Sequence, residues 1–506
     1  MSNIVFKAFI PELFLSVCIL SQLVYSSILI NNLKYNFPTI DKETFSQVFF
    51  FLGCILLLLL NLKIEAAVFN FVFLVDEGSR IIKLTFILIC LSSLICITKS
   101  FSLQKLNFFE FFNIFLISVL ALLLLITSYD LMASYLIIEI QALCFYILAS
   151  FRRNSMFSSE AGLKYFISGS FISGIFLLGC SFVYGGLGTL RFDQISLLLS
   201  LSFLENHFFI RYFILLGVAL IVVSLLFKLT AAPFHFWSPD VYDGSPLSTT
   251  IIFSIIPKLM IFTFFFKFLI SLSLFFLNFK LFLFFVSIAS IFFGTFFAIR
   301  QKKIKRMVIY SSIAQVGFLV AAISMVNLLG FSSFFYYLVV YAITSILIWS
   351  YITFLYYFQE KTQGFYKKEI YTLFISNFSD LLKKNSTWSL AFVLMFFSIA
   401  GMPPLSGFFS KFFVIFSVVD SFNIFESVFF IIVSCVSVFY YLRILKIIFF
   451  EGNSNSQNLN QVLILDYNMS EAELTSIASG LFLLLFLFIF PNTLLLFGQY
   501  VLLNTF

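Results

Sequence analysis

Two lysines of this chain lie in stretches that are otherwise apolar enough to belong in a lipid bilayer. Lys228 directly follows the apolar run 212–227, and Lys258 follows Pro257 inside the apolar run 247–266. A charged side chain at the centre of a bilayer costs about 2.5–3.5 kcal/mol, so such residues usually face the bundle interior or a wet cavity. A buried Lys can release and regain its proton, whereas an Arg keeps its proton. The two lysines therefore predict a wet, charged interior in which protons can move.

A carboxylate is the third candidate group. Glu139 lies midway along the apolar segment 131–150, with Tyr135 and Tyr146 on the same face of a helix. Ionisable residues inside a membrane are functional by default, and a buried carboxylate with a movable partner can take up and release protons. The alternative is a structural ion pair with Lys164 on a neighbouring helix, and the two roles are compatible. We predict a functional role for Glu139.

Two interpretations stay open for His235 and for Lys228. His235 comes seven residues after Lys228, which is the same face of an unbroken helix, but Pro233 interrupts that helix. Because histidine titrates near neutral pH, His235 is either a proton relay or a structural histidine beside the break. Lys228 is either a buried titratable group or a lysine that reaches a membrane interface along its apolar stem.

Other charged residues are predicted to have simpler roles. Asp240 and Asp243 flank a turn rich in Pro and Gly, where Asp commonly caps backbone donors. Lys267 and Lys280 lie near the ends of apolar segments, so they are expected to reach the interface. The basic run 301–306 is interpreted as a topology signal and not as a site for nucleic acid or lipid.

The elements that carry these residues are predicted to be membrane-spanning helices. Of the 506 residues, 61% are apolar and 10% are charged, and the mean hydropathy is +1.09. A water-soluble domain of this composition would expose large apolar patches, so we predict an all-α polytopic membrane protein embedded in a lipid bilayer. At about twenty residues per crossing, about fourteen transmembrane helices are predicted, at 9–30, 45–62, 81–98, 108–128, 131–150, 157–183, 208–238, 246–270, 279–299, 304–326, 331–358, 387–419, 423–450 and 473–490.

Helices 7 and 12 of this series are predicted to be broken. Pro233 interrupts the first, and the run 400–411, which ends at Lys411, interrupts the second with Gly401, Pro403 and Pro404. Interrupted segments at corresponding places in two halves of a chain indicate repeats with a functional site at their interface. We therefore predict two inverted five-helix repeats, at 108–270 (helices 4–8) and 271–450 (helices 9–13), with helices 1–3 at 1–107 and helix 14 with a tail at 451–506.

Basic residues in the connections predict the orientation, because short loops rich in Lys and Arg stay on the side of insertion. Connections after even-numbered helices hold little beyond Lys63, Arg80, Arg191 and Arg211. Connections after odd-numbered helices should face the cytoplasm or the matrix, with both termini opposite, since they hold most of the basic residues: Lys34, Lys42, Lys99, Lys105, Arg152, Arg153, Lys302, Lys303, Lys305, Arg306, Lys361, Lys367, Lys368, Lys383 and Lys384.

We expect no cofactor or metal in this chain. Its seven Cys include no Cys-x-x-Cys pair, and most lie in apolar runs. Histidine is almost absent from the apolar segments, which argues against a zinc or haem site. The segment 1–9 has no features of a cleavable address. The chain is therefore expected to be made beside its membrane, in a bacterium or in an organelle with its own genome.

Three motifs carry a resemblance to a known family: the runs 227–258, 310–318 and 398–413. Through them the chain resembles subunit 2 of mitochondrial NADH:ubiquinone oxidoreductase, respiratory complex I, and its bacterial counterpart, over nearly its whole length. The resemblance implies a proton-pumping, antiporter-like subunit of the membrane arm, with other membrane-arm subunits on both flanks and no nucleic acid. NADH, flavin, iron–sulfur clusters and ubiquinone are expected elsewhere in that complex.

The resemblance also implies which residues move protons. By position they are Glu139, Lys164, Lys228, Lys258 and Lys411, with His235 as the candidate relay. The chain departs from the family at Gln315, where the family usually has His. This departure removes a titratable group between Lys258 and Lys411.

Rival functions remain at this stage. A subunit of a sodium/proton antiporter of common ancestry is the main alternative, although the run 239–246 is more similar to subunit 2 than to the antiporter relatives. A purely structural scaffold would not need the buried charges, and a homologous plastid-type dehydrogenase stays open. The expected location is the mitochondrial inner membrane, with a bacterial plasma membrane or a plastid thylakoid as alternatives.

Overall fold

The computed structural model is a bundle of long helices with one small β-hairpin. It describes residues 6–32, 42–61, 64–104, 109–200, 208–272, 276–325, 327–363, 374–378, 386–421, 423–450 and 471–503. The first half of the chain forms α1 (Ile10–Asn32), α2 (Lys42–Asn61), β1 (Ala66–Val68), β2 (Phe73–Val75), α3 (Glu77–Gln104), α4 (Phe109–Thr127), α5 (Leu131–Ala149), α6 (Met156–Leu187), α7 (Phe192–Ser200), α8 (Phe208–Lys228) and α9 (Trp237–Gly244). The second half forms α10 (Leu247–Ser271), α11 (Phe276–Arg300), α12 (Ile304–Ile323), α13 (Leu328–Gln363), a 3₁₀ turn (Ile375–Phe378), α14 (Ser386–Ala400), α15 (Ser406–Asp420), α16 (Ile424–Phe450), α17 (Glu471–Ile489) and α18 (Pro491–Leu503).

Local sequence explains several helix ends near the charged residues. The Asp130 carboxylate accepts a hydrogen bond from the backbone N–H of Met132 at 3.0 Å, which caps the beginning of α5. At the end of α6, Gly188 adopts a φ of 74°, a left-handed conformation that favours glycine. Pro491 begins α18, where a missing N–H costs no helical hydrogen bond.

The predicted class of fold is confirmed, but the predicted count of fourteen crossings is not. Among the described residues, eleven helices are long and apolar enough to cross a membrane, or twelve if α17 and α18, bent by 87° at Phe490, count as one span. Predicted helix 2 corresponds to α2, whose apolar part is shorter, and predicted helix 12 is divided into α14 and α15. The hairpin β1–β2, α7 and α18 were not predicted.

Both predicted helix breaks are present. The first runs from residue 229 to 236, between α8 and α9, and includes Thr230 with a φ of 63°. The second runs from 401 to 405, between α14 and α15, and begins with Gly401 at a φ of 81°. Behind it, Gly407 packs directly on the backbone carbonyl of Ser398, where there is no room for a Cβ. The second break therefore depends on glycine at two positions.

One end of the bundle, which we call the hairpin end, gathers the connections after even-numbered predicted helices. Strands β1 and β2 pair antiparallel, with Ala66 opposite Val75. An isolated bridge joins Phe73 to Ser128, between α4 and α5, and another joins Asp130 to Arg191, between α6 and α7. These bridges bring three connections together at one end.

The opposite end, which we call the basic end, gathers connections after odd-numbered predicted helices. Lys303 forms a bridge with Phe374, and Gly244 packs against the backbone of Phe157, at the beginning of α6. Arg152 and Arg153 belong to the same connection as the beginning of α6. Other basic residues on which the predicted orientation rests lie outside the described residues: Lys34, Lys63, Lys105, Lys367, Lys368, Lys383 and Lys384.

Helices α10 and α13 form the centre of the bundle. In the apolar windows Leu247–Ser271 and Leu328–Thr353, 89% of the residues are buried, against 39% for Met156–Leu187 on the periphery. Helix α10 carries Lys258, so this charge lies in the most buried part of the molecule. The bundle thus encloses the lysine and shields it from lipid.

Candidate functional site

Lys258 follows a proline inside α10, and a neighbouring tyrosine supplies the hydrogen bond that the proline cannot donate. Pro257 has no N–H to donate to the carbonyl of Phe253, one turn earlier. The hydroxyl of Tyr242, on α9, donates to that carbonyl at 3.2 Å. Broken backbone at membrane depth persists only where protein or water supplies such a partner. Helix α9, which follows the first break, thereby holds the backbone next to Lys258.

The Lys258 ammonium group is buried and has neutral partners. It donates to the Ser312 hydroxyl at 3.2 Å and lies 5.8 Å from the ring centroid of Tyr341. The Tyr341 hydroxyl donates to the backbone carbonyl of Ser254, one turn before Lys258. Only 1% of Lys258 is exposed. An amine held by a hydroxyl and a ring can change its proton content without breaking an ion pair.

A small polar cavity lies beside Lys258. Its volume is about 20 Å³, and its polar lining includes Ser312, Gln315, Tyr341, Thr344 and Ser345. A cavity needs roughly 10–15 Å³ by this measure to hold one water, so this one has room for a single water. Gln315 faces this cavity, as its predicted position between the lysines requires.

Helix α12 connects this cavity to Lys411. Ser312, Gln315 and Phe318 follow one another at three-residue spacing on α12, so each is the neighbour of the next on the helix surface. The Lys411 ammonium group lies 5.8 Å from the ring centroid of Phe318. Lys258 contacts the first of these three residues and Lys411 contacts the last. Gln315 therefore lies between the two lysines.

Lys411 extends back across the second helix break. Its ammonium group donates to the carbonyl of Ala400, the last residue of α14, at 2.7 Å. Atoms of the same side chain pass Gly401 so closely that a Cβ there would lie 2.8 Å from Lys411 Cδ. A cation at the carboxyl end of a helix complements the helix dipole. The break thus provides the carbonyl that holds Lys411.

Glu139 and Lys228 carry opposite charges that are close enough to interact. The Glu139 carboxylate acts electrostatically on Lys228, the last residue of α8. Oxygen Oε2 of Glu139 is buried and has no hydrogen-bond partner among the described residues. A buried carboxylate oxygen normally has a partner. Glu139 therefore has a free acceptor directed at the interior near Lys228.

The predicted pair between Glu139 and Lys164 is wrong. Lys164 forms ion pairs with Glu160, one turn earlier on α6, at 2.8 Å, and with Asp240 at 3.5 Å. Its side chain is 48% exposed, because it lies on the outer face of α6. An acid four residues away on the same face is the nearer partner.

His235 is placed at the boundary between the two predicted repeats. It is buried in the first break and stacks on Phe236, with ring centroids 4.7 Å apart, and on Phe293 of α11 at 6.1 Å. Its Nδ1 atom has no hydrogen-bond partner among the described residues. The aromatic surroundings do not decide between a relay and a structural histidine.

The prediction that Asp240 and Asp243 cap backbone donors is wrong. Asp243 accepts hydrogen bonds from Arg306 Nε at 2.8 Å and from Lys303 Nζ at 3.1 Å. Asp240 pairs with Arg306 at 3.4 Å and with Lys164. The basic run 301–306 is therefore bound to the acidic turn by ion pairs, a long-range contact that neither stretch of sequence indicated alone.

The expectation that Lys267 reaches the interface is also wrong. Its ammonium group donates to the carbonyl of Ile126 at 3.3 Å and lies 5.1 Å from the ring centroid of Tyr129, inside the hairpin end. Sequence reasoning also missed a buried ion pair between Glu12 and Lys83. The signal was available, since Lys83 and Lys267 both fall within predicted crossings.

Comparisons with known proteins identify the family of this chain. Residues 128–439 match the model of the family described as NADH:quinone oxidoreductase/Mrp antiporter, transmembrane. The chain is 32% identical over 494 residues to NADH-ubiquinone oxidoreductase chain 2 of Marchantia polymorpha, covering 97% of both chains. It is 34% identical over 430 residues to NADH-quinone oxidoreductase subunit N of Pelagibacter ubique, covering 85% of this chain and 86% of the relative.

Solved structures share the fold. A chain of respiratory complex I from Thermus thermophilus superposes with a TM-score of 0.74 at 24% identity, covering 96% of this chain and 98% of that one. A chain of the Mrp complex from Dietzia gives a TM-score of 0.80 at 16% identity, covering 98% and 97%. By its relatives and by the family model, the chain belongs to the NADH:quinone oxidoreductase/Mrp antiporter family, with relatives named chain 2 or subunit N of NADH-quinone oxidoreductase.

Proposed function

We propose that this chain is the proton-translocating membrane-arm subunit of an NADH:ubiquinone oxidoreductase, and that Glu139, Lys228, Lys258 and Lys411 carry the protons. One observation supports this most strongly. Lys258 contacts Ser312 and Lys411 contacts Phe318, six residues further along α12, and Gln315 lies between them beside a cavity of about 20 Å³. A scaffold does not require two buried ammonium groups joined by a polar path.

The mechanism begins at Glu139. Its carboxylate shifts between Lys228 and a group on a neighbouring subunit, and the proton affinity of Lys228 follows the distance of the negative charge. Because the titrations of interacting groups are coupled, the changed proton affinity of Lys228 alters the protonation of Lys258. A proton then moves through a water beside Gln315 to Lys411. His235 is a proposed additional relay at the boundary of the repeats.

Lys164 is proposed to face a neighbouring subunit. The outer face of α6 exposes Leu163, Ile167 and Phe171 as well as Lys164. The Lys164 ammonium group already has Glu160 and Asp240 as partners within the chain, and the exposed apolar side chains around it suit the apolar surface of a membrane-arm subunit. A second subunit on the opposite flank completes the hetero-oligomer.

The redox chemistry is assigned to other subunits. NADH, flavin, iron–sulfur clusters and ubiquinone bind elsewhere in the proposed complex, and this chain supplies the proton path. The proposed location of this multi-pass protein is the mitochondrial inner membrane. The proposed division into repeats at 108–270 and 271–450 is supported by the two breaks, each of which lies close to a lysine.

Replacing Glu139 by Gln tests the proton path. We expect Glu139→Gln to lower the number of protons moved per NADH oxidised, because an amide keeps the shape but cannot hold the charge that acts on Lys228. The measurement is NADH-driven proton transport in vesicles that carry the assembled complex. Glu110→Gln, at an exposed position at the beginning of α4, is the control. Normal stoichiometry in Glu139→Gln would remove Glu139 from the path.

The subunit composition of the complex tests the alternative that this chain belongs to an antiporter. Extraction with a gentle detergent followed by mass analysis should recover this chain together with flavin-binding and iron–sulfur subunits. Migration with antiporter-like chains alone would instead support a sodium/proton antiporter, as the fold shared with the Mrp complex allows.

A further inference from the structure

A second group of charged side chains lies at the hairpin end, away from the path described above. Glu12 on α1 and Lys83 on α3 form an ion pair, and their side chains are 5% and 3% exposed. Asp76 precedes α3, and Lys267 lies near the end of α10. The charges of Lys83 and Lys267 both act on Asp76. Four charged residues therefore interact where α1, α3 and α10 meet.

Asp76 has a carboxylate without a partner. The Ser79 hydroxyl accepts from the Asp76 N–H at 3.0 Å and donates to the Asp76 carbonyl at 2.8 Å, so Ser79 binds the Asp76 backbone and not its carboxylate. Both carboxylate oxygens are buried and have no hydrogen-bond partner among the described residues. Two unpartnered buried oxygens on one side chain are rare in folded proteins. The carboxylate can therefore accept a hydrogen bond or a proton from a further group.

A cavity joins this carboxylate to Lys267. Its volume is about 30 Å³, and Asp76, Ser79, Thr263 and Lys267 form its polar lining. By the measure of roughly 10–15 Å³ per water, it has room for about two waters. The Lys267 ammonium group has three donors and uses one on Ile126. Water in the cavity would connect the ammonium group with the carboxylate.

The position of the cavity relates it to Lys258. Lys267 follows Lys258 by nine residues on α10, which corresponds to about 14 Å along the helix axis. The direction is toward the hairpin end, and Thr263 lies between them and lines the cavity. One buried helix thus carries a central lysine and a second lysine at the end of the bundle opposite the basic connections.

We propose that Asp76 and Lys267, with the cavity between them, form a proton-release station through which protons that reach Lys258 leave the protein at the hairpin end. The Lys267 ammonium group gives a proton through water to the Asp76 carboxylate, which leaves a neutral amine and a carboxylic acid. The acid then releases the proton to the outer water, and the amine regains one from the direction of Lys258. The proposal rests on the proposed proton-pumping function.

The charge environment suits this exchange. Burial raises the pKa of Asp76 to about 6, against the opposing pull of Lys267 and Lys83, and exposed Glu65 adds to the rise. The Glu77 carboxylate nearby is bound to Arg80 and to the Tyr500 hydroxyl. A raised pKa means that folded Asp76 keeps its proton up to about pH 6. Proton release should therefore slow as the outer pH falls through this value, because Asp76 stays protonated.

The test compares Asp76→Asn and Lys267→Met with Glu77→Gln, all in vesicles that carry the assembled complex. We expect proton transport to be slower by about 100-fold or more in the first two, as for the loss of an acid or base that transfers protons. Quinone reduction in uncoupled membranes and transport by Glu77→Gln should be retained. Asp76→Glu, which keeps a carboxylate, should restore transport with a shifted pH profile.

A second readout does not depend on transport. Infrared titration of the purified complex should show a carboxylic acid band that disappears with a midpoint near pH 6, and Asp76→Asn should lack it. Absence of this band in the unsubstituted complex would overturn the proposal, even if Asp76→Asn fails to assemble. Normal transport in Asp76→Asn, with transport lost in Lys258→Met, would overturn the release station alone. Normal transport in both variants would overturn the proposed function itself.

Discussion

The two central lysines differ in what holds them, and this difference suggests different roles. Lys258 binds a hydroxyl and lies over a ring, whereas Lys411 binds a helix-terminal carbonyl at 2.7 Å. A hydroxyl can either donate or accept, so Ser312 can serve a charged or a neutral amine. A carbonyl only accepts, and it binds the charged ammonium group more strongly than the neutral amine. Lys411 should therefore release its proton less readily than Lys258.

Substitution of Lys258 separates proton exchange from fixed charge. Lys258→Met should stop proton transport, because the side chain keeps its length but carries no titratable group. Lys258→Arg should stop it as well, since Arg cannot lose its proton in a protein. The measurement is the rate of NADH-driven proton transport, with the amount of assembled complex as the control. A fully active Lys258→Arg variant would mean that Lys258 is only a fixed positive charge.

Gln315 is expected to act through water. An amide donates and accepts at once but does not titrate near neutral pH, so it can orient a water without storing a proton. We predict an ordered water that bridges Gln315 to Lys258 or to Lys411, visible in a high-resolution map. Gln315→Leu should slow transport, and Gln315→His should retain it. A dry, apolar surround for Gln315 would leave the link between the lysines unexplained.

At the level of helices, the sequence predicted the two breaks, because a helix break depends on the local residues. Pro233 and the run 401–404 cannot continue a helix, so both breaks could be placed. The pairing of charges was not predictable in the same way. Asp243 has its partners sixty or more residues away on α12, and an acid in a Pro/Gly turn looks the same whether it caps a backbone or binds an Arg.

The same limit explains Lys164 and Lys267. Apolar periodicity is weak on helices that are apolar all round, so the sequence did not indicate which face of α6 or α10 points inward. Lys164 therefore seemed able to reach Glu139, although it lies on the outer face of α6. Lys267 was expected at an interface, although its ammonium group binds the Ile126 carbonyl and lines a cavity with Asp76. The direction of a side chain on such a helix is set by packing against distant segments. That packing cannot be derived from the local sequence.

The ion pairs of the acidic turn join three elements, and their strengths should differ with exposure. The Asp243 side chain is 13% exposed and has two basic partners, whereas that of Asp240 is 49% exposed. We expect Asp243→Asn to destabilise the protein by about 1–3 kcal/mol, because its partners are partly buried. Asp240→Asn should cost roughly 0–1 kcal/mol, as surface pairs do. Thermal unfolding of the purified complex compares them, and equal effects would mean that burial does not set the strength of this cluster.

At the scale of the whole molecule, the two ends have different charge. Lys303, Lys305 and Arg306 lie at the basic end with their carboxylate and carbonyl partners on α9 and its connection. Arg152 and Arg153 lie at the same end. The hairpin end instead holds Asp76, and its basic residues are bound by carboxylates or carbonyls. This asymmetry is what orients a polytopic protein during insertion.

The asymmetry predicts which end faces the compartment of synthesis. Asn154, exposed beside Arg153, should face the matrix or cytoplasm, and Asn492, exposed at the beginning of α18, should face the opposite side. Both positions accept a cysteine without a positive φ. A maleimide that cannot cross membranes should therefore label Asn154→Cys only in inside-out vesicles and Asn492→Cys only in right-side-out vesicles.

The native cysteines provide the control for this labelling. Cys18, Cys90, Cys96, Cys144 and Cys180 are buried, Cys54 is half-buried in the apolar part of α2, and Cys435 is exposed on α16 among apolar side chains such as Ile432 and Phe439. A polar reagent should not reach them, so the unsubstituted protein should stay unlabelled in both kinds of vesicle. Labelling of both variants from the same side would contradict the alternation of connections between the two ends. A reversed pattern would place the Asp76 cavity on the side of synthesis, so that the same residues would take protons up instead of releasing them.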